Sequence, residues 1–170
     1  MHIRVESPYV PINTEGNPFP SLTGAKAEHL NRLIKEASAV PRTVLHRLIL
    51  LRHGQYMFLA FDNKSDLPVA LATCIIMETD SMSYGVITDL VVLPEYRKSG
   101  VASKLVQDII ARMSNKSVIV ASGNKELALL RVAISSHLAS CRKIFEAAGF
   151  ELVHGNGERL YELKLESPED

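Results

Sequence analysis

The nineteen residues from Thr88 to Val106 constrain the fold of this chain more than any other stretch. They begin as a strand: Thr88-Asp89-Leu90-Val91-Val92-Leu93 is mostly apolar and rich in β-branched residues, and Pro94 stops it. They end inside a helix, because Val101, Leu105, Val106, Ile109, Ile110 and Met113 recur at three- and four-residue steps. The short turn between, Tyr96 to Gly100, carries the cations Arg97 and Lys98 and a glycine where the helix starts. The first backbone N–H groups of a helix have no internal partner, and the helix dipole adds partial positive charge there. A strand feeding through such a turn into a helix N-terminus is therefore a cradle for an anion such as phosphate.

The rest of the chain supplies elements to surround this unit. Met1–Glu6 reads as a first strand and Pro8–Pro20 as an irregular loop. Residues 23–39 read as a helix, with Ala27, Leu30, Leu33, Ile34 and Ala37 apolar and Thr23 placed to cap it. Residues 42–53 read as a second helix ended by Gly54. Tyr56–Phe61, Val69–Met77 and Gly85–Leu93 are strand-like, and the polar turns between them favour an antiparallel meander. A helix over Ser99–Ser114 then leads to a short strand at Ser117–Ala121, which should run parallel to 85–93 after a crossover. Lys125–Ala148 steps by threes and fours through Leu127, Leu130, Ile134, Leu138, Cys141 and Phe145. It reads as one long helix, or two that break near Ser135-Ser136. Glu151–His154 and Leu160–Leu165 flank Gly155-Asn156-Gly157 as a hairpin. The expected architecture is a mixed α/β (α+β) fold. A largely antiparallel twisted sheet carries helices on both faces, in the order βααβββαβαββ.

Composition narrows the class. At 170 residues with 46% hydrophobic content, residues 1–170 can form a single domain with a full core. The formal net charge is zero, so no global attraction to nucleic acid or an anionic membrane is expected. The N-terminus lacks the apolar core of a signal peptide, and the apolar runs are too short to span a bilayer. Cys74 and Cys141 have neither metal-type nor disulfide-framework spacing, which suits two reduced thiols in the cytoplasm. His46 and His53 lack a Cys, Asp or Glu companion at ligand spacing, so no metal is expected.

Two motifs carry a resemblance. Arg97-x-x-Gly100-x-Ala102, after the lead-in Val92-x-Pro94-x-Tyr96, resembles the Arg/Gln-x-x-Gly-x-Gly/Ala signature of the GCN5-related N-acetyltransferase (GNAT) superfamily. Phe145-Glu146-Ala147-Ala148-Gly149-Phe150 resembles that superfamily's later aromatic–Gly-Phe block. The element order extends the likeness over nearly the whole chain. It implies acetyl-CoA as cosubstrate and direct attack of a primary amine on the thioester in a ternary complex.

By that resemblance Arg97, Lys98, Ser99, Gly100, Val101, Ala102 and Ser103 cradle the pyrophosphate, largely through backbone N–H groups. Backbone N–H groups of Leu90, Val91 and Val92 receive the thioester oxygen, and the strand pair 85–93 and 117–121 splays to admit the pantetheine arm. A lysine-like amine is neutral in only about one molecule in a few thousand at pH 7, so a carboxylate is wanted to collect its proton. Asp89 and Glu78 are the candidates; Thr88 stands where the family often has Glu. Phe145 stands where the family commonly has the Tyr that protonates the leaving thiolate. Tyr161, Tyr84, Ser140 or water would take that role, unless no acid is needed. A different class of reading follows from the same two departures: a CoA-binding regulatory or scaffold module without turnover. The apolar stripe of 125–148 suits the core, and is also compatible with a homodimer face. The expected acceptor walls (loop 8–20, the two following helices and the tail of the long helix) have no dominant charge. Small amines, amino sugars, antibiotics and peptide or protein amines all stay open as acceptors.

Overall fold

The computed structural model describes residues 2–6, 9–10, 22–39, 55–114, 127–135, 139–155 and 158–165. In chain order the elements are β1 (Ile3–Glu6), β2 (Tyr9–Val10), α1 (Ala25–Ala39), β3 (Gln55–Asp62), β4 (Leu67–Glu78), β5 (Ser83–Val92), a 3₁₀ turn (Pro94–Tyr96), α2 (Val101–Met113), β6 (Leu127–Ser135), α3 (Ala139–Ala147), β7 (Glu151–His154) and β8 (Glu158–Lys164). The strands form one sheet in the order β1-β3-β4-β5-β6-β8-β7, with β2 also paired to β3. Every pairing is antiparallel except β5 with β6, which is parallel.

The central strands are apolar on both faces because helices cover both. Tyr56, Phe58 and Ala60 of β3 join the core beneath α2, while Leu59 and Phe61 join the core beneath α1. The α1 stripe of Leu30, Leu33 and Ala37 packs on Leu59, Phe61, Leu71, Val91 and Leu93. On the other face, Leu105, Val106, Ile109 and Met113 of α2 lie over Ala60, Ala70, Ala72 and Ile87. Small residues at three of those four positions let the helix backbone approach the sheet closely. Cys74 is buried in this layer, and burial pushes its thiol up to about 12.

Several expectations are corrected. The long helix over 125–148 does not form: Leu127–Ser135 is a strand, and among the described residues of that stretch only Ala139–Ala147 is helical. This strand is buried on both faces, so it lacks the polar alternation that identifies a half-buried strand, and short apolar runs of this kind mimic helical spacing. Val132 and Ile134, both β-branched, were the local signal for extended structure. The helix expected to offer a dimer face is shortened to Ala139–Ala147. The strand parallel to β5 is accordingly 127–135; the expected strand at 117–121 and the expected helix at 42–53 lie outside the described residues. Within the expected loop 8–20, Tyr9–Val10 pairs with Tyr56 and Gln55, and the remainder lies outside the described residues. Thr23 is not the cap of α1: the first helical bond runs from the Glu28 N–H to the Gly24 carbonyl, which makes Gly24 the cap.

Gly85 marks a close approach in the parallel pair. A Cβ there would meet Leu130 Cδ2 at 2.6 Å and Cys74 Sγ at 3.1 Å, and both neighbours are wholly buried. Gly85→Ala is expected to cost about 1–3 kcal/mol through overpacking, read as a lower urea midpoint at unchanged m. An unchanged midpoint would show that Leu130 can turn aside at no cost.

Candidate active site

Two irregularities in β5 create the site. The first is a β-bulge. Thr73 pairs with Asp89 while its neighbour Cys74 pairs with Ile87, so Thr88 is an extra residue in the β4–β5 ladder. The second is loss of pairing on the opposite edge. The parallel ladder with β6 ends at Ile87 and Val132; beyond it, among the described residues, β5 pairs only with β4, and β6 only with β8. The two parallel strands therefore part from Thr88 onward.

The direction of the backbone groups along the parted edge follows from strand periodicity. The Leu93 N–H donates to the Val69 carbonyl in β4 at 3.0 Å. Alternate residues present their N–H and C=O to the same side. Val91 and Asp89 thus face β4, and Leu90 and Val92 face the opening. The Val92 carbonyl on that edge accepts a hydrogen bond from Arg97 Nε at 3.0 Å. Of the three backbone donors expected from the sequence, Leu90 and Val92 point into the opening and Val91 does not.

The opening leads directly to the cradle. Lys98 and Gly100 have left-handed backbone, with φ of 59° and 81°, which turns the chain sharply into α2. Gly100 caps the helix and, as a glycine, has no side chain to bond the N–H groups of the first turn, Val101, Ala102 and Ser103. A Cβ at Gly100 would touch nothing within 4 Å, so the protein leaves space beside this turn. Ser99 Oγ donates to the Tyr96 carbonyl and braces the loop. The guanidinium of Arg97 is directed away from the first turn, toward Val92 and to Glu36 on α1 at 3.2 Å. One helical turn earlier, Arg32 pairs with Glu95 at 2.7 Å. The bond from its own backbone N–H, together with this second pair, holds the Glu95 carboxyl below the ordinary carboxylate range. Both pairs are exposed and contribute little stability; they fix α1 against the cradle lead-in.

The candidate carboxylates separate. Asp89 is partly buried beside the bulge, and its Oδ2 accepts from Thr73 Oγ1 at 2.6 Å. Glu78 is exposed at the far end of β4, in register with Ser83. Five residues of extended strand place it about 17 Å from Thr73, so the structure does not bring Glu78 to the bulge.

The family model for the acetyltransferase (GNAT) family matches residues 25–131, more than half of the chain. This chain belongs to the GNAT family. Solved structures agree in fold. Arabidopsis thaliana NAA60 in complex with a bisubstrate analogue superposes with TM-score 0.58 at 16% identity, covering 94% of this chain and 98% of that one. The ribosomal-protein-S18-alanine N-acetyltransferase from Escherichia coli gives 0.59 at 14% identity, with 96% and 94% covered. Arabidopsis thaliana Naa50 in complex with the bisubstrate analogue CoA-Ac-MVNAL gives 0.60 at 14% identity, with 95% and 97% covered. No curated protein matches the chain by sequence.

In this GNAT domain the bulge and the parted β5–β6 pair come from tertiary pairing, while the cradle is written in local sequence. Phe145 is buried on α3 and meets Phe150 edge-on, ring centroids 5.2 Å apart. Tyr161 is also buried, in register with Val132, the last β6 partner of β5. Its hydroxyl donates to Glu146 Oε1 at 3.5 Å. Tyr84 lies under the Arg131 guanidinium, 4.3 Å from its ring centroid, and Arg131 Nε bonds Glu162 Oε1 at 2.5 Å. The sequence reading missed Arg131, Glu162 and Thr73. The first two become neighbours only once 127–135 is a strand in register with β8, and Thr73 matters only because of the bulge. Among the described residues no helix is long and apolar enough to cross a membrane.

Proposed function

We propose that this chain is an acyl-CoA-dependent N-acyltransferase that moves acetyl from acetyl-CoA to a primary amine by direct attack. The observation that carries the reading is continuity: the open edge of β5 at Leu90 and Val92 leads, through the turn at Pro94–Gly100, to a helix start whose cap is a glycine without a side-chain acceptor. A thioester laid along that edge meets backbone donors, and a pyrophosphate at the turn meets the N–H groups of Val101, Ala102 and Ser103.

Asp89 takes a proton from the acceptor ammonium, directly or through a water. The freed nitrogen lone pair attacks the thioester carbonyl carbon, and the Leu90 and Val92 N–H groups stabilise the oxyanion. The C–S bond then breaks, and the nitrogen gives up its second proton to water as the neutral amide forms. CoA leaves as a thiolate, whose reference pKa near 8.5 makes a side-chain acid dispensable. Tyr161, in the row of the last β5–β6 pair, is the side-chain alternative to water for returning that proton. Structural neighbours held with bisubstrate analogues support a peptide or other amine acceptor.

Phe145 and Thr88 favour a second reading, a CoA-binding module without turnover, because neither can serve in the family's usual proton-handling role. Thermal shift and thiol release separate the two. Acetyl-CoA at about 100 times its Kd should stabilise the protein by roughly 2.7 kcal/mol. A shift with no thiol release across a panel of amines and peptide N-termini selects the module. No shift at millimolar acetyl-CoA overturns both.

A further inference from the structure

We infer that Thr73 and Thr88 form a hydroxyl pair that positions Asp89 for proton abstraction, with Thr73 as the positioning residue in direct contact. This inference rests on Asp89 being the base.

Thr73 and Thr88 are 2% and 6% exposed, in the middle of the sheet, where Ala72, Cys74 and Ile87 are their apolar neighbours along the strands. Their hydroxyl oxygens are 2.5 Å apart, and Thr73 Oγ1 lies 2.6 Å from Asp89 Oδ2. The direction of the chain is fixed by counting protons. A carboxylate only accepts, so the single Thr73 proton goes to Asp89. The Thr88 proton then goes to the Thr73 oxygen, since its own contact with Asp89 Oδ2 is long, at 3.5 Å. Both hydroxyls are thus polarised toward one carboxylate oxygen.

The bulge makes this arrangement possible. In a regular strand Thr88 and Asp89 would point to opposite faces. With Thr88 inserted as an extra residue, both side chains meet Thr73 on the adjacent strand. The bulge falls where β5 parts from β6, and it delivers a fixed carboxylate beside that open edge. An Asp side chain has two freely turning torsions; a short bond to a buried, β-branched Thr holds one orientation. The hydroxyls hold no net proton in the reaction. The proton passes from the acceptor nitrogen to Asp89, and the Thr73 bond persists throughout.

The test compares Thr73→Val, Thr73→Ser, Asp89→Asn and the Thr73→Val/Asp89→Asn double variant, using acetyl-CoA and an amine acceptor found by the thiol-release screen. Thr73→Val conserves shape, and an acetyl-CoA thermal shift checks that each variant folds and binds. Thr73→Val is expected to lower kcat by about 10- to 100-fold with the KM for acetyl-CoA unchanged, and Thr73→Ser to recover most of it. In the Asp89→Asn background, Thr73→Val should add no further loss. A Thr73→Val enzyme with kcat within twofold of the parent, or losses that multiply in the double variant, would overturn the positioning role while leaving Asp89 as base. An Asp89→Asn enzyme with full kcat overturns the base assignment itself.

Discussion

Asp89→Asn is expected to lower kcat for acetyl transfer by about 10²–10⁴-fold, the usual contribution of a positioned general base. Asn keeps the size of Asp and can still accept from Thr73 Oγ1 through its carbonyl oxygen, so the bulge should persist. What it loses is the ability to take a proton. The KM for acetyl-CoA should stay near the parent value, because the cradle and the open β5 edge are backbone features on which the carboxylate has no bearing. Steady-state kinetics at saturating acetyl-CoA, with the amine varied, measures the effect. Loss of kcat that disappears at high pH, where the amine is already neutral, would identify the missing step as deprotonation. Glu78→Gln serves as the comparison, and its position at the far end of β4 predicts little change. A large loss from Glu78→Gln with a small one from Asp89→Asn would move the base to the β4 end.

The second large effect is expected at Gly100. Its φ of 81° is left-handed, which Asn and Asp tolerate better than other non-glycine residues, and a Cβ there meets no protein atom. Gly100→Asn and Gly100→Asp should therefore both fold. A negative charge at the start of α2 favours the helix, so Gly100→Asp should leave the free protein at least as stable as Gly100→Asn. Toward acetyl-CoA the order reverses. One added charge about 5 Å from a pyrophosphate, at an effective dielectric near 20, costs roughly 3 kcal/mol, or about 100-fold in Kd. Gly100→Asn isolates the steric part and should cost much less. Calorimetric or thermal-shift titration with acetyl-CoA gives both values. Equal affinities in the two variants would mean that the phosphates do not lie at this turn.

Much of the strand–turn–helix from β5 to α2 was legible because its determinants are local. Gly100 is required by a backbone conformation, Pro94 ends the strand, and the α2 stripe repeats at helical steps. The meander β3–β4–β5 was equally legible, since its turns are marked by polar residues: Asp62 accepts from Lys64 and Ser65 to shape the first. Leu127–Ser135 misled because it is covered on both faces, and its apolar content then carries no period that distinguishes strand from helix. Thr73 was silent for a related reason. A threonine in a strand is ordinary by propensity, and only pairing across the bulge shows its proton committed to Asp89.

Sequence by itself determined the family, the turn into α2 and the set of carboxylates worth testing, because motif spacing and backbone conformational demands act within a few residues. Tertiary structure alone decided which N–H groups of β5 face the opening, that Asp89 and not Glu78 adjoins it, and that two buried hydroxyls converge on that carboxylate. These depend on register between strands far apart in the chain. A one-residue slip at Thr88 redirects the side chains beyond it, and no local preference encodes such a slip.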